Sequence, residues 1–275
     1  MTTTGSGPVV VLVHGYPQFW WSWRAQLPAV AAAGYRVVAV DLRGFGASDK
    51  PPTGYDLVTA CDDIAAIVRS LGAERAAVVG QGLGAWIAWS MPSLRPEVTA
   101  AIAPVGVPHP AVFHRAMWRH PFQWRANHYL RTMQAPFASE RQPRTVARRL
   151  RAWSGPDDAW LTAEVADRYT EAMAVPFAGQ AAAEYHRWFY RCRITPSGAR
   201  FLHRVREAID VPVLHVHGER DPSSLPVLAA ESRRLTRGPL QTCAVPDVGH
   251  FVPEEAPEAM SSMLTAWLRV AHPAG

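Results

Sequence analysis

Six short apolar runs, each closing in a polar or glycine turn, constrain this chain more than anything else: "PVVVLVHG" at 8–15, "YRVVAVD" at 35–41, "RAAVVG" at 75–80, "VTAAIAPVG" at 98–106, "VPVLHVHG" at 211–218 and "LQTCAVPDVG" at 240–249. Continuous apolarity without alternation belongs to strands buried on both faces, the condition of a parallel sheet covered on two sides. Helical patterns fill the gaps between the first four runs, around Trp21–Ala33, Val58–Leu71 and Leu83–Leu94. The alternation predicts an α/β chain with a mostly parallel, doubly wound sheet.

From about Pro108 the strand rhythm stops and returns only after Asp210. The intervening stretch is rich in Arg, Trp and Ala at helical spacing, as in "AEVADRYTEAM" and "AAAEYHRWFYR". The expected organisation is a core built from 1–107 and 210–275, with 108–209 inserted as a helical cap over the strand ends, where open α/β sheets bind ligands. Val107–Asp210 carries sixteen arginines against nine acids, whereas the rest of the chain has twelve basic residues against fourteen acids. These arginines sit among helical apolar positions, which reads as a solvated helix face and argues against a nucleic-acid partner. Cys61, Cys192 and Cys243 have neither paired nor metal-ligand spacing, so a reducing compartment is expected, with no metal and no cofactor. No uninterrupted apolar segment reaches membrane-spanning length and "MTTTGSGP" lacks the form of a signal peptide, so a cytoplasmic protein without a membrane partner is expected.

The third run leads into "GQGLGA" at 80–85. A strand, a glycine turn and a helix start are the parts of a nucleophile elbow, but the central position is Gly82, with no side chain to attack. Asp221 in "HGERDPSSLP" and His250 in "PDVGHFVPEEAPE" follow the fifth and sixth runs. The order nucleophile position, acid, histidine is that of a triad in which histidine is the base and the acid fixes its tautomer. Taken singly, His250 reads as a surface histidine and Asp221 as a helix start; together, each at its strand end, they point to a catalytic pair. Gly80-x-Gly82-x-x-Ala85 also fits a dinucleotide loop, yet that reading demands an acid near the end of the next strand, and Thr99–Gly106 holds no Asp or Glu.

With "HGYPQFWWSWR" (14–24), "DLRGFGASDKP" (41–51), "VGVPHP" (105–110) and the His250 loop, nearly the whole chain resembles the cap-bearing α/β-hydrolases that include epoxide hydrolases and haloalkane dehalogenases, and most closely the bacterial epoxide hydrolases. The resemblance implies an elbow aspartate that opens an epoxide to form an ester, and a His–Asp pair, here His250 and Asp221, that activates the cleaving water. It implies an oxyanion hole at the backbone N–H groups of Tyr16 and Leu83. It also implies two cap tyrosines that protonate the epoxide oxygen. Tyr129 matches the first; in "EYHRW" the second falls on His186, with Tyr185 beside it. The departures are Gly82 for the aspartate, Gln81 for the histidine usual before it, and His186 for the second tyrosine.

Three functions follow as expectations: an epoxide hydrolase of weak or altered activity, a His–Asp general-base enzyme without a nucleophile (lyase, isomerase or cofactor-free oxygenase), or a non-catalytic protein binding a small hydrophobic ligand. Trp20 and Trp86 are candidates for the pocket wall, although plain core positions suit them better. The resemblance also implies two further strands before Val9, where only about seven residues stand. The N-terminal strands are therefore expected to be short or missing, leaving the strand at 35–41 as an open edge that calls for cover or a homodimer partner.

Overall fold

The computed structural model describes residues 1–274. One sheet contains β1 (Thr2–Thr4), β2 (Val9–Val13), β3 (Arg36–Val40), β4 (Ala76–Gln81), β5 (Thr99–Val105), β6 (Val213–Gly218) and β7 (Leu240–Val245), in the order β1-β3-β2-β4-β5-β6-β7. All neighbours run parallel except β1, which pairs antiparallel with β3 through Thr2–Ala39, Thr3–Val38 and Thr4–Val37. The open edge expected at the 35–41 strand is thus corrected: the residues before Val9 cover it with a short strand of their own. The new edge is only three residues long, which limits its capacity to template pairing.

Helices α1 (Gln26–Ala32), α2 (Leu57–Ser70) and α3 (Leu83–Leu94) connect the first parallel strands. Asp56 caps α2, accepting from the N–H groups of Val58 and Thr59 at 2.9 Å each. The pleat of β2 sends Val9, Val11 and Val13 to the face covered by α2 and α3, and Val10 and Leu12 to the other. Both sets are buried, which is why the run reads as uniformly apolar.

The stretch 108–209 contains α4 (Pro110–Arg119), α5 (Pro121–Ala126), α6 (Tyr129–Thr132), α7 (Gln142–Trp153), α8 (Ala163–Ala174), α9 (Ala178–Arg191) and α10 (Pro196–Arg204). Their inner faces join the apolar cluster of α2 and α3, for example through Leu130, Leu150, Tyr185 and Phe189. After β6 come α11 (Val227–Ser232), α12 (Val252–Glu255) and α13 (Pro257–Ala271), and α13 packs Met260, Leu264 and Leu268 against the opposite face of the sheet. Strand order reverses between β2, which leads outward to β3, and β4, which returns to the other side of β2. Ligands of open α/β sheets bind at such a switch point, beyond the carboxyl ends of the strands.

Candidate active site

β4 ends at Gln81 and α3 begins at Leu83, so Gly82 alone makes the turn, with φ +55° and ψ −113°. L-residues with side chains rarely adopt that conformation. The flanking glycines answer to close packing: a Cβ at Gly80 would lie 2.0 Å from the Gly84 carbonyl oxygen, and one at Gly84 would lie 2.2 Å from that of Val13. A Cβ at Gly82 meets less resistance, 3.2 Å from His250 Nε2 and 3.6 Å from Gly15 Cα. The histidine ring therefore faces the place where an attacking side chain would stand.

His250 Nδ1 lies 2.8 Å from Asp221 Oδ2, with both side chains buried. The carboxylate assigns the proton to Nδ1, which leaves the Nε2 lone pair facing Gly82. Asp221 is held in turn by Ser223, whose backbone N–H and hydroxyl donate to Oδ1 at 2.7 and 2.6 Å. The cap clamps this loop from above: Gln123 and Asn127 donate to the Ser223 carbonyl at 2.6 and 2.7 Å. The His250 loop is fixed just as closely. Glu255 accepts from the N–H groups of Gly155, Gly249 and Phe251 at 2.7–2.8 Å, and the His250 N–H donates to the Trp153 carbonyl at 2.8 Å. Burial raises the Glu255 pKa, against which those three N–H donors act.

Gln81, where the resemblance implies a histidine, donates to the His250 carbonyl at 3.1 Å. Its other amide atom, Oε1, is buried without a partner among the described residues. The departure thus ties the elbow to the histidine loop.

Tyr16, Gly82, Leu83, Tyr129, His186 and His250 line one cavity, together with Trp86, Val107, Asn127, Trp153 and Ser223. Its free volume is about 20 Å³, enough for a single water. Leu83 opens α3, so its N–H has no intrahelical partner, and the Tyr16 N–H has no hydrogen bond among the described residues. Burial raises the pKa of the Tyr129 phenol, while Arg149 of α7, 5.5 Å from the ring centroid, lowers it.

Two candidates separate here. Tyr185 does not reach the cavity; it packs in the core at 5.5 Å from the Tyr55 ring, and its hydroxyl has no partner among the described residues. Its neighbour His186 takes the cavity position, since adjacent residues on a helix point about 100° apart. His186 Nδ1 lies 2.6 Å from the Ala182 carbonyl, and burial lowers its pKa to about 4. Its Nε2 is then an unprotonated acceptor near neutral pH, unable to do the proton-donating work of a tyrosine hydroxyl. Trp86 lines the cavity and Trp20 does not. Ser223, Gln123, Asn127, Arg149 and Glu255 escaped sequence reasoning; only the Pro-Glu-Glu that follows the histidine gave any signal.

The sequence profile of the alpha/beta hydrolase fold family matches residues 8–257. The AB hydrolase superfamily protein YfhM of Bacillus subtilis is 30% identical over 271 residues, covering 96% of this chain and 91% of its own length. Epoxide hydrolase A of Mycobacterium tuberculosis is 30% identical over 298 residues, covering 95% and 90%. Among solved structures, epoxide hydrolase A of Mycobacterium thermoresistibile superposes with a TM-score of 0.82 at 26% identity, over 98% of this chain and 93% of its own.

Proposed function

Because the chain belongs to the alpha/beta hydrolase fold family, we propose that it is an epoxide-hydrolase-like enzyme that adds water to an epoxide directly, without a covalent ester. One observation carries this reading: His250 Nε2, backed by Asp221, is aimed at a position that Gly82 leaves unfilled, within 3.2 Å of where a Cβ would be. A water seated there gives its proton to Nε2 as its oxygen attacks an epoxide carbon. The carbon–oxygen bond opposite breaks, and the oxygen released takes a proton from the Tyr129 phenol, yielding a diol. Asp221 stabilises the imidazolium formed. Burial raises the phenol's pKa, and Arg149 favours the phenolate that remains until the imidazolium proton returns.

The cost of this arrangement is rate. A positioned water is a weaker nucleophile than a carboxylate held in place, and His186 stands where the resemblance implies a second phenol. Triads lacking a member elsewhere retain about 10³–10⁴ of acceleration from binding and oxyanion stabilisation, which sets the scale expected here. The cavity has room for only one water, so substrate enters only as the cap side chains Asn127, Tyr129, Trp153 and His186 move aside. Steady-state turnover of a panel of small epoxides tests the reading. His250→Ala is expected to lower kcat/KM by about 10²–10⁴, and a variant as active as the parent would refute it.

A further inference from the structure

A second cavity lies on the far side of the cap, walled by α4 and α10 above and by α11 with the turn after it below. It encloses about 640 Å³, within the usual range for small-molecule sites, and shares no residue with the cavity at Gly82. An aromatic stack separates the two: Phe189 lies 3.9 Å from Trp86, which lines the first cavity, and 4.5 Å from His114, which lines the second.

The lining is cationic to a degree that folding alone does not call for. Arg115, Arg119, Arg193, Arg206 and Arg234 border it, with Glu231 the sole carboxylate, and Glu231 is taken by Arg115 at 2.6 Å. The other four guanidinium groups have no ion pair or hydrogen bond among the described residues. Like charges gathered round one concavity repel, and an anion between them relieves that repulsion. The planar guanidinium fork matches phosphate oxygens better than a point charge does.

The apolar part of the wall points to an organic ligand. Trp118 is 63% exposed at the cavity, with Arg193 5.7 Å from its ring centroid, and Leu202 and Leu235 continue the apolar wall. His114 is only 5% exposed, yet its Nε2 has no partner among the described residues. Burial, reinforced by the charge of Arg193, lowers its pKa to about 3, so it stays neutral and adds no charge to the cleft.

We propose that this cleft binds a multiply charged organic phosphate, its phosphates among the four unpaired arginines and its apolar or aromatic end against Trp118. The concave shape between three helices favours a small molecule over a nucleic-acid duplex or a bilayer. The proposal goes beyond the hydrolytic site and needs no activity from it.

Titration calorimetry of the full chain with ATP, with pyrophosphate and with phosphatidylglycerol vesicles tests it. ATP is expected to bind, and its affinity to fall at least about tenfold in Arg193→Gln/Arg206→Gln and again in Arg234→Gln, which alters the opposite wall. Trp118→Leu is expected to weaken ATP while leaving pyrophosphate unchanged. Arg144→Gln/Arg148→Gln, on the exposed face of α7 outside the cleft, is expected to change neither. No heat beyond dilution, equal losses in the α7 pair, or binding to vesicles alone would overturn the proposal. All the substituted cleft residues are exposed; should the cap pair fail to fold, Arg234→Gln decides.

Discussion

Gly82→Asp restores the carboxylate implied by family resemblance to a backbone built without one. At φ +55° any side chain is strained, at a cost of about 1–3 kcal/mol. The new Cβ would sit 3.2 Å from His250 Nε2, close enough that the ring must shift by a few tenths of an ångström. For a chain of this size the strain corresponds to a fall in Tm of roughly 2–5 °C. Gly82→Ala carries the same strain with no charge. Aspartate recovers part of the loss by facing a histidine that then gains a proton, so the expected order of stability is glycine, aspartate, alanine. Thermal denaturation by circular dichroism reads that order. Intact-mass spectrometry after rapid quenching with a terminal epoxide reads the chemistry, with an adduct expected in Gly82→Asp and in neither other protein. An alanine variant as stable as the parent would refute the strain argument. A folded aspartate variant that forms no adduct would show that the surrounding groups do not support the ester route.

The two cap tyrosines give a paired test: Tyr129→Phe is expected to lower turnover by about tenfold to a hundredfold, while Tyr185→Phe leaves turnover unchanged and does not lower Tm, since its hydroxyl is buried without a partner. Equal kinetic effects would contradict the placement of these side chains. Stability should fall in acid. Burial lowers the pKa of His109, His114 and His215 to about 3 and of His186 to about 4, below the value of about 6.5 in the unfolded chain. The unfolded state therefore takes up protons first. This contribution is complete above about pH 6.5 and is lost as pH falls toward the folded values, by up to about 1.4 kcal/mol per pH unit for each histidine. Urea midpoints at pH 7.5, 6 and 5 measure it, and a midpoint independent of pH would contradict the burial of neutral imidazoles.

Much of the core was legible because its strands are buried on both faces: the six apolar runs coincide with β2 to β7 within a few residues. Helix α3 begins at Leu83 and ends at Leu94, as the spacing predicts, since the glycine turn fixes its start. β1 was not legible, because three threonines carry no apolar pattern and owe their strand to the open edge of β3. The choice between Tyr185 and His186 needed the phase of α9, which sequence spacing alone left open. Gln123, Asn127 and Glu255 act largely through hydrogen bonds between segments up to 102 residues apart, and such pairings leave no local periodicity.

The most direct test of the water-addition account is a single turnover in ¹⁸O-labelled water with enzyme in excess over a terminal epoxide. Direct attack predicts one labelled oxygen in the diol from the first turnover and no label in any peptide of the protein. An unlabelled diol, or label retained in a carboxylate of the chain, would show that a covalent ester forms after all, from some group other than Gly82.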